Sequence, residues 1–307
     1  MREGDRNIMK KPHIYLISVF LTVLLIFSLL GTAALMLLRF QGLDTEKALR
    51  IAKEQNLAQK VHVTLTQRFV DQENTTGIPL AVYEKTITEE NCDAIIRASV
   101  RGGFEYLNGR SADYAAKPDF SVLETDMRAF LTAYADKNGI EKDASFELAV
   151  KDSLNAAKEQ ILDACDVFRF RMLADAHALQ KARSILKWSG FLAIGAALIT
   201  LLIVLFLFMS NHAEGRHGFY WSGIALLIAS VLLMVPSVWL TKTRWFDRFS
   251  VKTDQVFAAV TGYLYSMTNA AALLAVCGIA AGLLMIGLFV LLHIRSKKAE
   301  EVKKLKH

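Results

Sequence analysis

The strongest constraint on this chain is a set of four apolar runs: Ile14–Leu38, Trp188–Met209, Phe219–Leu240 and Ala270–Ile294. None of them contains Asp, Glu, Lys or Arg, and each is 22 to 25 residues long. A hydrocarbon core of about 30 Å is crossed by roughly 20 residues of helix. Within lipid every backbone N–H and C=O must find its partner inside the segment, which selects helices for all four. Buried helices of a soluble core rarely give four uncharged runs of this length. The chain therefore reads as an all-α membrane protein with four transmembrane helices, and the 53% apolar content reflects these clumps rather than one large core.

The first run has a basic start (Arg2, Arg6, Lys10, Lys11) and small residues at Gly31-Thr32-Ala33-Ala34, as a secretory signal does. The apolar region of a cleavable signal is about 7–15 residues, and here it continues through Leu35-Met36-Leu37-Leu38. An uncleaved anchor is expected.

Orientation follows from the Lys and Arg residues flanking the spans. Four precede the first span and six follow the last (Arg295, Lys297, Lys298, Lys303, Lys304, Lys306). Arg216 lies between spans two and three; Lys242, Arg244, Arg248 and Lys252 lie between spans three and four. Four spans put both termini on one side, and this balance makes that side the cytoplasm. The expected layout in the cell membrane is a cytoplasmic tail at 1–13, a helix at 14–39, an extracytoplasmic domain at 40–187 and a helix at 188–209. A cytoplasmic loop at 210–217, a helix at 218–240, an extracytoplasmic amphipathic segment at 241–268, a helix at 269–294 and a cytoplasmic tail at 295–307 complete it. The net charge of +6 is then topology signal and attraction to anionic headgroups. Nucleic-acid binding would need basic residues grouped on a folded face with aromatics among them; the lipid bilayer is the expected partner, and nucleic acid is not.

Between spans one and two, Leu57, Val61, Leu65 and Phe69 recur every four residues, which is one helix face. Asp44 or Thr45 can cap its start, and Thr75, Thr76, Gly77 and Pro79 end it. From Asp143 the stretch DASFELAVKDSLNAAKEQILDACDVFRFRMLADAHALQKARSILKW contains neither Gly nor Pro. Its apolar positions run Phe146, Val150, Leu154, Ala157, Ile161, Cys165, Phe168, Met172, Ala176 and Leu179. This pattern predicts a soluble helix of roughly 60 Å passing without a break into the second span at Trp188. Paired with the helix after span one, it would form a two-helix stalk carrying a small head. In the head, Thr88 caps a helix with Ile96, Val100, Phe104 and Leu107 on its apolar face. Gly102-Gly103 would allow a close backbone approach or a kink, and Asn108-Gly109 would supply left-handed residues at the helix end. DFSVLE reads as a short extended piece before a helix closed by Gly139.

The segment ITEENCDAIIRASVRGGFEYLNGRSADYAAKPDFSVLETDMRAFL resembles an ectodomain segment of uncharacterised multi-pass membrane proteins of Gram-positive and related bacteria. There a helix ending in a Tyr-Leu-Asn-Gly turn is followed by an extended Asp/Phe-rich strand and a further helix. The resemblance implies a bacterial extracytoplasmic domain and brings no activity with it.

Few residues nominate chemistry. Cys277 is a small apolar residue within span four. Cys92 and Cys165 both fall outside the spans on inward-facing helix positions, with 72 residues between them. They are either two buried thiols or a disulfide worth about 4 kcal/mol in loop-closure entropy. His212, Glu214 and His217 in HAEGRH do not follow the i, i+4 spacing that sets two imidazoles on one helix face. His62 and His177 have no neighbouring ligand types. There is no phosphate cradle, nucleophile elbow or Cys-x-x-Cys, so no catalytic, cofactor-binding or metal-ligating residues are nominated and no cofactor is expected. The spans carry no Asp, Glu, Lys, Arg or His short of their ends, so no ion path is indicated. Gly278 and Gly282 form a Gly-x-x-x-Gly suited to helix packing. Trp245, Phe246, Phe249, Phe257 and Tyr263 cluster in the second external segment, either packing at the base of the ectodomain or forming a partner-docking surface.

The function expected from this pattern is that of a non-enzymatic envelope protein whose ectodomain binds or scaffolds another envelope component. The layout is also similar to that of mechanotransmitting ABC permeases of the cell-division and macrolide-efflux types, which implies a signal-relaying subunit as the alternative. Only about ten residues between spans two and three are left for coupling to an ATPase. A lipid or cell-wall enzyme is the third reading.

Overall fold

The structure, a computed structural model, describes residues 11–114, 118–211 and 216–305. It is 83% helical, with no strand among the described residues. In chain order the helices are α1 (Lys11–Phe40), α2 (Thr45–Glu54), α3 (Leu57–Thr76), α4 (Glu89–Leu107), α5 (Ser121–Asn138) and α6 (Ala144–Cys165). They are followed by α7 (Phe170–Asp175), α8 (Ala178–Leu186), α9 (Ser189–Ser210), α10 (Arg216–Lys242) and α11 (Asp254–Leu305). Four helical stretches are long and apolar enough to cross a membrane: Tyr15–Phe40, Ala178–Ser210, His217–Lys242 and Asp254–Ser296. This is compatible with a multi-pass integral membrane protein. The chain divides into two compact units. One comprises Met1–Gly42, Trp188–Phe246 and Tyr265–His307; the other comprises Leu43–Lys187 with Asp247–Leu264.

The first unit contains the apolar helices. Large side chains such as Phe20, Phe27, Phe191 and Leu284 stay exposed along them, as expected of surfaces that face hydrocarbon. Lipid gives no hydrophobic drive to bring such helices together, so small residues and hydrogen bonds must do it. The Thr200 hydroxyl on α9 meets Ser28 at 2.8 Å and Thr32 at 3.0 Å on α1, and Asn211 Nδ2 donates to Ser18 Oγ at 3.0 Å. Leu25, Ile203, Leu207 and Ala225 are buried where α1, α9 and α10 meet. Helices α10 and α11 touch backbone to backbone. A Cβ built on Gly282 would lie 3.1 Å from the Gly223 carbonyl oxygen, and one on Gly223 would lie 3.1 Å from that of Gly282. Gly278 faces Ser230 one turn away.

The second unit is a helical cluster around an apolar core. Asp44 accepts from the Glu46 and Lys47 N–H groups and starts α2. Asn56, at φ 50°, turns the chain into α3. Leu57, Val61, Leu65 and Phe69 form the fully buried stripe of α3, which ends at Gly77 with φ +69°. Phe69 stacks on Tyr83 at 3.9 Å between ring centroids. Thr88 caps α4 by accepting from Asn91 N–H, and Ile95, Ile96, Val100 and Phe104 are buried along it. Asp143 caps α6 through the Ser145 and Phe146 N–H groups.

Four expectations require correction. The helix from Asp143 is not a single rod. It stops at Cys165, restarts at Phe170 after Arg169 at φ 57°, and turns again at His177, φ 55°. Met172 and Ala176, the stripe positions between the two breaks, are exposed for that reason. At Lys187 and Trp188 the backbone stays helical (φ −53°, ψ −36° and φ −87°, ψ −12°), so the breaks lie earlier. The helix expected between Asp44 and Gly77 is two helices, α2 and α3, separated at the left-handed Asn56. DFSVLE is helical from Ser121, whose N–H is taken by Asp119 Oδ1 at 2.9 Å. Of the pair Asn108-Gly109 only the glycine is left-handed, at φ +74°. Asn108 keeps helical angles and donates from Nδ2 to the Leu43 carbonyl at 3.0 Å, tying the end of α4 to the start of the unit.

Candidate functional site

The polar groups of the second unit converge on the break after α6. Asp166 caps that helix with its backbone and turns its carboxylate inward. Oδ1 accepts from the Phe170 N–H at 2.9 Å and from the Ser99 hydroxyl at 3.3 Å, while Oδ2 accepts from the Arg171 N–H at 2.7 Å. Ser99 Oγ also meets Tyr114 Oη at 3.1 Å. Ser99 and Asp166 are 5% and 3% exposed, so a carboxylate sits in the interior with three donors around it, as a buried charge requires. The break also throws Phe168 and Phe170 into the core. They form an edge-on cluster with Phe104, at 6.2 Å and 5.4 Å between centroids, and Phe168 meets Tyr263 at 5.8 Å. A Cβ on Gly103 would fall 2.2 Å from the Phe170 ring, so this glycine serves a close approach of α4 to α7. Arg169 completes the turn by pairing with Asp163 at 2.6 Å.

Burial pushes the Asp166 carboxyl up, against the Arg171 and Phe170 N–H groups and Ser99, which favour the charged form. Burial likewise pushes the Tyr114 hydroxyl up to about 12. Asp166 therefore binds its proton more tightly folded than unfolded. Its favourable contribution is complete below the ordinary carboxylate value of about 4 and is lost as pH rises through the elevated folded value. Asp166→Asn is expected to flatten that decline. Denaturant unfolding of the full chain in detergent between about pH 4 and pH 8 checks it. The side chains are closed in by α4 and α7, so what the arrangement does is hold the break in place and satisfy the charge at its centre.

Nearby, Lys47 is 4% exposed and lies 5.8 Å from the centroid of the Tyr263 ring. Desolvation lowers its pKa, opposed by Asp44 and assisted by Arg50. Cys92 and Cys165 are both free and buried in the same core. The aromatics between residues 245 and 263 separate into different environments. Tyr263 is packed in the core of the second unit and Phe257 is half-buried. Phe246 is buried against Tyr265 at 5.1 Å, while Trp245 and Phe249 are each 36% exposed. The histidines are dispersed. His62 Nδ1 bonds the Ile87 carbonyl oxygen at 2.6 Å, and His177 is exposed at the α7–α8 turn. His212 and Glu214 lie outside the described residues. Among the described residues no three His, Cys, Asp or Glu side chains group as metal ligands would. A groove between α5 and α6, lined by Met127, Leu148, Leu154 and Lys151, has the ion pair Arg128–Glu147 along it at 2.9 Å.

The Ser99–Tyr114–Asp166 network and Lys47 are the residues that sequence reasoning missed. The available signal was an Asp directly after a helix-length run, followed by Val-Phe-Arg-Phe, an aromatic density that one exposed rod could not bury. Compared with family models, with curated proteins and with solved structures, the chain matches none.

Proposed function

We propose that this chain is an integral protein of the bacterial cell envelope, cytoplasmic at both ends, whose helical extracytoplasmic unit binds or scaffolds another envelope component without carrying out chemistry of its own. The observation that carries the reading is a core shared by two connections. Ala258 and Ala259, from the segment between the third and fourth spans, are buried among residues of 43–187. Tyr263 meets Phe104 at 5.9 Å, Gly262 lies against Ile51, and Arg169 Nη2 donates to the Thr253 hydroxyl at 3.5 Å. In a four-span chain the first and third connections lie on one side of the bilayer, as such a core demands, and the distribution of Lys and Arg favours the outside for both. A folded unit with its own interior, in which the buried Ser99 and Asp166 are spent on holding its own turn, supports a role in contact rather than turnover.

The test begins with topology. Asp113 is exposed, and Asp113→Cys in a Cys277→Ser background is expected to react with a membrane-impermeant maleimide equally in intact and in lysed cells. Labelling only after lysis would sink the reading. Cross-linking in native membranes then separates the roles. Stoichiometric recovery of an ATPase or permease would replace scaffolding by signal relay. A lipid- or wall-cleaving activity lost on substitution of ectodomain carboxylates would establish an enzyme instead.

A further inference from the structure

Cys92 and Cys165 come from parts of the chain far apart in sequence. Cys92 lies in the first turns of α4, and Cys165 is the last residue of α6. Each is 0% exposed in the same apolar core, to which α4 and α6 both contribute, and Cys92 is the neighbour that most raises the Cys165 thiol. The Cys92 Sγ–H also donates to the Ile87 carbonyl at 3.5 Å, which fixes its position at the start of the helix. Cys165 immediately precedes Asp166, so a covalent tie here would hold the break after α6 against the first turns of α4. Packing alone asks for a small apolar residue at each position and gives no reason for cysteine at both.

We propose that Cys92 and Cys165 are joined by an intramolecular disulfide formed as the chain folds. The inference rests on the extracytoplasmic placement of this unit, since disulfides persist in oxidising compartments. The oxidant is an external disulfide, such as that of an oxidised dithiol carrier. One cysteine thiolate attacks it, forming a mixed disulfide and releasing one carrier thiolate. The second cysteine then attacks the mixed disulfide and releases the other. The two cysteines lose two electrons and two protons, and the carrier is reduced to two thiols. Once the core has closed, the contact with Cys92 and burial hold the Cys165 thiol well above its ordinary range. Only the thiolate attacks, so the exchange belongs to folding rather than to the finished protein. For the same reason the closed bridge is shielded from reductants.

The experiment uses the full chain carrying Cys277→Ser, extracted from membranes under denaturing conditions with excess maleimide and weighed intact. The expected product carries no added maleimide, is lighter than the dithiol by two hydrogen atoms, and yields a peptide joining Cys92 to Cys165 after proteolysis. In detergent without denaturant, reduction by dithiothreitol is expected to be at least about tenfold slower than in denaturant, because exchange requires opening of the core. The central measurement needs no substitution at either cysteine. Two maleimides, where a separate chain carrying Asp113→Cys and Cys277→Ser is labelled from outside, would overturn the disulfide and leave the envelope reading intact. Two maleimides, where that separate chain is labelled only from inside, would overturn both.

Discussion

Phe69→Ala is expected to destabilise the second unit by about 3–5 kcal/mol, the usual cost of removing a buried aromatic side chain. Phe69 is 2% exposed and lies flat against Tyr83, with 6° between the ring planes. It closes a stripe of α3 whose other members, Leu57, Val61 and Leu65, are entirely buried. Neighbouring helices hold those residues in place, so little can move to fill the space vacated. The Tyr83 ring would lose its stacking partner while its hydroxyl, already pushed up by burial, stayed inside. Val63→Ala on the same helix, at a residue 60% exposed, should change stability by less than about 0.5 kcal/mol. Denaturant unfolding of the full chain in detergent, with hydrogen exchange read over residues 57–76, distinguishes the two. Equal effects would show that α3 is not the centre of the core.

Gly103→Val is the second large effect, and it arises from overfilling. Three atoms of the Phe170 ring lie within 2.2 to 2.5 Å of where a Cβ would sit, and Phe170 is itself 6% exposed within an aromatic cluster. An alanine in a helix interior ordinarily gains about 1 kcal/mol over glycine, but here the ring must be displaced first. A net loss at or above the upper end of about 1–3 kcal/mol is expected for valine. Gly103→Ala should lose less, and combining it with Phe170→Leu should recover part of that loss, because the smaller side chain leaves room. If Gly103→Ala raised the unfolding midpoint on its own, the close approach of α4 and α7 would be wrong.

What could be read in the sequence was local. Asp44 and Thr88 each cap the helix that follows, and Gly77 and Gly139 each end one, because the reason for each lies within four residues of the position. The α3 stripe was equally plain, since four apolar residues at one spacing have one face to bury. What stayed hidden depends on partners distant in the chain. No glycine or proline announces the break at Asp166–Arg169. The break is held by Ser99, by the approach at Gly103 and by Tyr263, and none of these is visible from the 143–187 segment alone. A strict three-and-four spacing through Met172 and Ala176 therefore indicated a continuity that tertiary contacts override. The same holds for DFSVLE, where Phe120 and Leu123 are buried and packing decides for helix. The aromatics from Trp245 to Tyr263 were visible as a cluster, but their assignment to different units follows from the whole arrangement.

The core that Ala258, Ala259 and Tyr263 complete is contributed by two stretches of chain, Leu43–Lys187 and Asp247–Leu264. During synthesis the earlier stretch must wait, one apolar flank uncovered, until some seventy-five further residues have been made. The unit is accordingly finished late, and a clone stopped after residue 187 would produce a helical cluster with an open seam where α11 belongs. Such a fragment invites chaperones and self-association, so binding measured with it would report the seam as readily as any native surface.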